Sequence, residues 1–160
     1  HWQTGAAMPA AMAAKLKELR RVDQAYELGE VVAAALLDMA WHSQQAGSAP
    51  TDVAAFERQA LAASGLDVAH VPPRYRSSLF RHIWSNDYAA GYYAYLWTEM
   101  LAHDAFAWFE AHGGLTRANG QRFADCVLSR GHSADYGAMF RAFAGHDPDV
   151  APMLAARGLK

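Results

Sequence analysis

The chain has 160 residues, of which 52% are hydrophobic and 19% are charged, and its formal net charge is −2. A chain of this size can bury one substantial core, so the sequence predicts a single unit over residues 1–160. Its basic residues are scattered rather than clustered, which excludes the positive surface typical of proteins that bind nucleic acid or anionic membranes. We therefore expect neither nucleic acid nor a membrane as a partner.

The cysteine content and the apolar segments further narrow the class of protein. Cys126 is the only cysteine, so an intrachain disulfide is excluded. The longest apolar stretch, from Val31 to Trp41, is interrupted by Asp38 and is shorter than the roughly 20 residues that a membrane span requires. These features favour a cytoplasmic location, with the periplasm as the alternative.

Helix-favouring residues dominate the sequence, and β-branched residues are sparse. This composition predicts an all-α fold of about seven helices. We expect helices over Pro9–Arg21, Ala25–Gln44, Asp52–Ser64, Tyr88–Ala111, Thr116–Ser129 and Ala134–Ala144, and a short last helix that opens at Asp147 and Pro148.

Capping residues and helix breakers set these predicted boundaries. The expected N-caps are Thr51, Asn86 or Asp87, Thr116 and Ser133. Glycines at 65, 113, 114 and 131 should end helices, and Pro72 and Pro73 exclude a helix in the segment that leads to His82. The helix over Ala25–Gln44 is apolar on nearly every face, which predicts that it is buried between other helices.

The string HIWSNDYAAGYYAYLW, residues 82–97, concentrates one imidazole and four phenols. At about 100° per residue, Tyr88, Tyr92 and Tyr95 should share one face of a helix. A phenol stays protonated at neutral pH and can therefore donate a hydrogen bond to an oxyanion without changing charge. A row of tyrosines on a helix can equally belong to a core or an interface, and spacing alone does not decide between the two.

Two other groups of residues have a possible chemical role. Glu99 and His103 are four residues apart, as two metal ligands on a helix would be, but a surface pair explains them as well. Arg130 and Arg157 precede glycines, where a cation favours the end of a helix. Binding of a substrate carboxylate is the alternative role for these arginines.

At residues 82–97 the sequence resembles the thimet-oligopeptidase-like family of zinc metallopeptidases, and most closely its peptidyl-dipeptidase branch. The resemblance continues through TEMLAHDAF, GGLTRANGQRF, LSRG and MLAARGL downstream, and through HWQTG, MPAAM and AAALLDMAWH upstream. It covers essentially the whole chain. The resemblance implies that the chain is the C-terminal part of a mostly helical catalytic domain, and that the missing N-terminal part of the same polypeptide precedes His1.

The resemblance also implies roles for four residues. The residues that match His82, Tyr88 and Tyr95 bind the substrate backbone and stabilise the tetrahedral intermediate in that family, with Tyr95 as the first choice for the oxyanion donor and Tyr88 as the second. Tyr92 matches a position that contacts the substrate. The implied substrate is a peptide from which a C-terminal dipeptide is released.

The family's zinc motif, His-Glu-x-x-His, is absent, because none of the eight histidines is followed by glutamate. We therefore expect zinc in the full-length parent and none bound by this chain, which should be inactive alone. The alternative function is a non-catalytic helical module that binds peptides. A segment of a larger core would also expose apolar surface and could associate with itself.

Overall fold

The computed structural model describes residues 1–19 and 21–159, so Arg20 and Lys160 lie outside the described residues. Within them, the chain forms eight α-helices and two short 3-10 turns, Ser77–Leu79 and Leu128–Arg130. The all-α prediction is confirmed. The helices are α1 Ala10–Leu19, α2 Gln24–His42, α3 Val53–Ala63, α4 Arg81–Ser85, α5 Ala94–Ala111, α6 Arg117–Cys126, α7 Tyr136–Ala144 and α8 Ala151–Ala156.

The chain packs as two compact units, His1–Leu96 and Trp97–Lys160, and the division falls inside α5. The sequence predicts a single unit over 1–160. A division by packing does not measure independent folding, so the single unit stays a prediction. Among the described residues, no helix is both long and apolar enough to cross a membrane.

The core of the first unit surrounds α2. Ala34 and Leu37 are completely buried, and Leu61 of α3 packs against Leu37. Leu36 and Met39, in contrast, are 38% and 40% exposed. The predicted burial of α2 between other helices therefore holds for part of its circumference, which α3 and the segment around Phe80 cover.

Helix α1 buries none of its side chains. Met12, Leu16 and Leu19, which form its apolar stripe, are between 45% and 62% exposed. Apolar positions at this spacing are typical of a helix that packs against another surface. Among the described residues of the first unit, none covers this stripe.

The core of the second unit is aromatic. Phe143 of α7 is completely buried and contacts the rings of Trp108, Phe109 and Phe123 at centroid distances of 4.6, 5.7 and 4.9 Å. The buried carboxylate of Asp104 accepts a hydrogen bond from the backbone N–H of Asp149 at 2.8 Å. These contacts join α5, α6, α7 and the segment before α8.

Several predicted boundaries differ from the observed ones because a neighbouring residue is the better cap. Thr116 caps α6 as predicted, through its hydroxyl and the N–H of Asn119. Asp52, not Thr51, caps α3, and Asp135, not Ser133, caps α7. Each of these carboxylates reaches the N–H three residues ahead, which satisfies a donor at the helix start.

The remaining differences lie at the ends of helices. Helix α6 stops at Cys126, and a separate 3-10 turn leads to Gly131. The last helix begins at Ala151 rather than at Pro148, because the Asp149 side chain accepts the N–H of Ala151 and Pro152 occupies the first turn. The largest difference concerns α5, which begins at Ala94 and not at Tyr88. The cause of this difference is a pair of backbone hydrogen bonds to Asp38.

We predict that Phe143→Ala lowers the free energy of unfolding by about 3–5 kcal/mol, because it leaves a cavity among the packed rings. Phe106→Ala is the matched control, since Phe106 is 50% exposed; its cost should stay below about 1 kcal/mol. Urea unfolding followed by circular dichroism measures both. Equal losses in the two variants would contradict the assignment of Phe143 to the core.

Candidate functional site: a cluster of one histidine and four tyrosines

The candidate site lies in the first unit and consists of His82, Tyr75, Tyr88, Tyr92 and Tyr95, which we call the tyrosine cluster. His82 belongs to α4, and Tyr95 belongs to the first turn of α5. Tyr88 and Tyr92 lie in the non-helical turn between these helices, and Tyr75 precedes the first 3-10 turn. All four residues predicted as site residues from the sequence are therefore brought together.

The imidazole of His82 is at the centre of the cluster. Its centroid lies 4.9 Å from the Tyr75 ring, 5.5 Å from Tyr92, 6.0 Å from Tyr88 and 6.3 Å from Tyr95. Within the described residues, the buried Nδ1 atom of His82 has no hydrogen-bond partner. Buried polar atoms without a partner are uncommon in folded proteins and are costly. This atom distinguishes the cluster from an ordinary aromatic core.

Tyr88 and Tyr95 form a stacked pair. Their centroids are 5.3 Å apart, and their ring planes differ by 7°. Tyr95 is 42% exposed, whereas Tyr92 is 5% exposed and packs edge-on against Phe80 at 4.8 Å. The stacked pair of Tyr88 and Tyr95 is thus accessible, whereas Tyr92 is buried.

A buried carboxylate on α3 holds the segment that leads to His82. Glu57 accepts hydrogen bonds from Nη1 of Arg76 at 2.6 Å and from the backbone N–H and hydroxyl of Ser77 at 2.8 and 2.7 Å. Burial raises the pKa of the Glu57 carboxyl, but the bonds from Arg76 and Ser77 outweigh burial and lower this pKa below its ordinary value. Glu57 therefore remains ionised at neutral pH.

Two indoles complete this anchor around Ser77. The Nε1 atom of Trp41 donates to the Ser77 hydroxyl at 2.9 Å, and the Nε1 atom of Trp84 donates to the Ser77 carbonyl at 2.7 Å. Trp84 lies two residues after His82 on α4. The position of the imidazole is thereby fixed by side chains from α2, α3 and α4.

A second buried carboxylate, on α2, explains why α5 begins late. Asp38 is completely buried, and its Oδ1 and Oδ2 atoms accept the backbone N–H groups of Ala90 and Tyr92, each at 2.9 Å. Ala90 has a φ of 55°, in the left-handed region, which is incompatible with a continuous right-handed helix. The predicted helix start at Tyr88, with Asn86 or Asp87 as its cap, is therefore wrong.

The same correction applies to the predicted geometry of the tyrosines. On a continuous helix, residues seven apart are separated by about 10 Å along the axis. In the structure, the turn folds the Tyr88 ring back onto the Tyr95 ring. The three tyrosines do converge, but through a turn and not along one face of a helix.

The environment keeps the phenols of Tyr92 and Tyr95 protonated. Burial, together with the neighbouring Tyr75 and Tyr95 hydroxyls, raises the pKa of Tyr92 to about 12. A hydrogen bond with Tyr88 raises the pKa of Tyr95, with smaller contributions from burial and from Tyr75. Both groups remain neutral donors at physiological pH, as oxyanion stabilisation requires.

Sequence reasoning did not identify Tyr75 or Asp38 as parts of the site. Tyr75 stacks on Phe80 at 5.4 Å and contacts His82, yet it lies outside the string of residues 82–97. Asp38 carried a local signal, because it is the one charge inside the apolar stretch from Val31 to Trp41. A charge in a buried segment has to find partners, and here two of the partners are backbone groups more than fifty residues away.

The other candidates from the sequence belong to the second unit. Glu99 lies 3.6 Å from Nε2 of His103, but both of its oxygens accept from Nη2 of Arg157, at 2.6 and 2.8 Å. Glu99 therefore forms an ion pair with Arg157, and His103 lies beside Glu99. Arg130 lines a cavity of about 330 Å³ together with Asp125, Cys126 and Met139.

Comparison with known proteins identifies the family. The family model that matches is described as peptidase family M3, and it matches residues 1–159. The chain belongs to peptidase family M3. Members of this family are zinc metallopeptidases, and the all-helical structure agrees with the helical fold of M3 peptidases.

The relatives agree with this assignment. The chain is 51% identical over 159 residues to the dipeptidyl carboxypeptidase of Salmonella typhimurium and 50% identical over 159 residues to that of Escherichia coli. Both alignments cover 99% of this chain and 23% of the relative. It is also 47% identical to oligopeptidase A of Escherichia coli over 81 residues, 51% of the chain and 12% of the relative. The chain thus spans about a quarter of the length of the dipeptidyl carboxypeptidases that it matches.

The residues described here do not fit the zinc site of an M3 peptidase. They contain no group of three or more His, Cys, Asp and Glu side chains placed to hold a metal ion. A catalytic zinc site needs three protein ligands and an open position.

We predict that part of the loss of stability between pH 10 and pH 12 comes from Tyr92. Because the pKa of Tyr92 is higher in the folded state, the unfolded state releases this phenolic proton first as pH rises. The contribution of Tyr92 to the free energy of unfolding therefore falls above pH of about 10 and levels off above about 12. In Tyr92→Phe this component should be absent. Urea unfolding at pH 9, 10, 11 and 12 measures it.

The matched control for this titration is Tyr136→Phe, because Tyr136 is 60% exposed and lies in the second unit. Its stability curve should run parallel to that of the unmodified chain. A Tyr92→Phe curve that also runs parallel would contradict a raised pKa at Tyr92.

Proposed function

We propose that this chain is the C-terminal part of the catalytic domain of a zinc peptidyl-dipeptidase, which hydrolyses peptides and releases C-terminal dipeptides. The observation that supports this most is the stacked pair of Tyr88 and Tyr95 beside the imidazole of His82. The identity of about half over 159 residues to two dipeptidyl carboxypeptidases supports the choice of substrate and product.

In this proposal the accessible phenol of Tyr95 is the principal oxyanion donor. When water adds to a peptide carbonyl, negative charge develops on the oxygen, and a preorganised neutral donor stabilises it without having to change its own charge. Tyr88 is the second donor, because its hydroxyl is hydrogen-bonded to that of Tyr95. His82 donates to a backbone carbonyl of the substrate.

Tyr92 has a different relation to the substrate. Its side chain is 5% exposed and its ring lies between Phe80 and Tyr95. Burial therefore favours Tyr88 and Tyr95 over Tyr92 as direct contacts, and the predicted contact of Tyr92 with substrate stays a prediction.

We place the zinc ligands in the remainder of the polypeptide, outside this chain. The relatives are about four times longer, which leaves ample sequence for them. The same remainder would cover the exposed apolar stripe of α1, and self-association of this chain would be the alternative way to bury it. A cytoplasmic location stays a proposal.

We predict that Tyr95→Phe in the full-length polypeptide lowers kcat by about 10²–10³-fold, because it removes one oxyanion donor. KM should change by less than about threefold, since the lost interaction forms mainly in the transition state. Dipeptide release from an N-terminally blocked peptide, followed by mass spectrometry, measures both constants.

The matched control is Tyr93→Phe, which removes a half-exposed hydroxyl from the same turn. Its kcat should stay within about twofold of the unmodified enzyme. Equal losses of kcat and of affinity in Tyr95→Phe would argue against the role of Tyr95 as oxyanion donor.

We further predict that residues 1–160 alone do not hydrolyse peptides, because the residues described here do not group into a metal site. The isolated chain is incubated with the same blocked peptide and added Zn²⁺, and products are followed by mass spectrometry. Peptide binding without cleavage would agree with the prediction and with the alternative of a binding module. Zinc-dependent cleavage that survives further purification would contradict it.

A further inference from the structure

We propose that Asp38 is a positioning residue for the tyrosine cluster: its carboxylate holds the turn between α4 and α5 in the one conformation that stacks Tyr88 on Tyr95. This inference rests on the proposed function, because it assigns the stacked pair its task in catalysis. It concerns a residue on α2 that the sequence pattern did not connect with the site.

Stabilisation of the fold alone does not explain why the carboxylate of Asp38 is buried. The side chain is 0% exposed and lies beside the completely buried Ala34 and Leu37. Transfer of a carboxylate into such surroundings is costly, and a well-packed apolar residue is often at least as stabilising at a buried position. A buried charge that is retained can instead specify one conformation, and the partners of Asp38 show which conformation this is.

Both oxygens of Asp38 bind backbone groups of the turn. Oδ1 accepts the N–H of Ala90 and Oδ2 accepts the N–H of Tyr92, each at 2.9 Å. On the other side, Nδ1 of His42 lies 2.8 Å from Oδ1, one helical turn further along α2. The carboxylate is thus fixed from its own helix and is aimed at two donors of the turn.

The turn needs this anchor because Ala90 adopts an unfavourable conformation. Its φ of 55° costs a residue with a side chain roughly 1–2 kcal/mol relative to the right-handed region. Such a conformation persists only where surrounding contacts fix it, and the bond from the Ala90 N–H to Asp38 is such a contact. Without the bond, the segment of residues 88–93 is free to extend α5 towards its N-terminus, because Asn86 or Asp87 would serve as a helix cap there.

Extension of α5 would dismantle the candidate site. Tyr88 and Tyr95 would then be separated by about 10 Å along the helix axis. In the structure their rings are 5.3 Å apart and nearly parallel, and both lie near His82. Asp38 therefore determines whether the two phenols can act on one substrate atom.

The test is Asp38→Asn in the full-length polypeptide. The amide keeps the shape of the side chain, but it presents one acceptor oxygen and one NH₂ donor, so only one of the two N–H groups keeps its partner. We expect kcat per folded molecule to fall by about 10²-fold, because a shift of about 1 Å in a catalytic group has an effect of this size. KM should change by less than about threefold.

Asp104→Asn is the matched control for loss of a buried carboxylate. Asp104 is 3% exposed and accepts a backbone N–H, that of Asp149, but it belongs to the second unit. It should lower the thermal midpoint by a similar amount and leave kcat per folded molecule within about twofold. An Asp38→Asn enzyme whose kcat is as little changed as that of Asp104→Asn would overturn the proposal.

The double variant Asp38→Asn/Ala90→Gly separates positioning from general destabilisation. Glycine adopts a positive φ without the steric cost that alanine has, so the turn should form again without its anchor. We expect kcat to recover by about fivefold or more over Asp38→Asn. A variant that gains thermal stability from the glycine without any gain in kcat would count against a positioning role.

Amide hydrogen exchange of the unmodified 160-residue chain provides a readout that needs neither activity nor a folded Asp38→Asn variant. The amides of Ala90 and Tyr92 should exchange at least about 10²-fold more slowly than in an unstructured peptide. Exchange at the rate of an unstructured peptide would overturn the proposal. If the unmodified full-length polypeptide releases no dipeptides, the proposed function fails, while this exchange measurement still tests whether the two N–H groups are held, as their bonds to Asp38 require.

Discussion

The first unit depends on buried carboxylates that bind backbone N–H groups of non-helical segments. Asp38 on α2 and Glu57 on α3 are 0% and 4% exposed, and each accepts at least one backbone N–H from a segment distant in sequence. Backbone groups in a turn have no helical partner, and burial leaves them without water. The two carboxylates meet this need, and because their positions on the helices are fixed, the segments that carry His82 and Tyr88 are fixed as well.

Features that depend on local sequence were predictable. The all-α class follows from composition, and Thr116 caps α6 because its hydroxyl bonds an N–H only three residues away. The glycines at 65, 113 and 114 have positive φ and do end helices, as the sequence indicates. In each case the interaction that decides the boundary lies within a few residues of it.

The start of α5 could not be predicted from the same rules. Residues 88–93 are three tyrosines, two alanines and one glycine, and a plausible cap at Asn86 or Asp87 precedes them, so the local sequence permits a helix that begins at Tyr88. The interaction that prevents this comes from Asp38, 52 residues away from Ala90 in sequence. The two hydrogen bonds that Asp38 accepts therefore override a propensity that is weak for each residue. The candidate site residues His82, Tyr88, Tyr92 and Tyr95 come from one string, but their geometry depends on a residue that lies outside it.

The stacked phenols and the unpaired imidazole atom require opposite properties from their surroundings. In the proposed function the phenols must be preorganised, which calls for rigid support by Asp38 and by the contacts around Ser77. Nδ1 of His82, in contrast, is left without a partner among the described residues. The rings around Nδ1 of His82 cannot hydrogen-bond to this atom through their faces as well as a carbonyl can. Because these rings are tightly packed, the free-energy cost of the unpaired atom persists in the folded protein. The geometry of the tyrosine cluster therefore depends on carboxylates of α2 and α3 that are not themselves part of it.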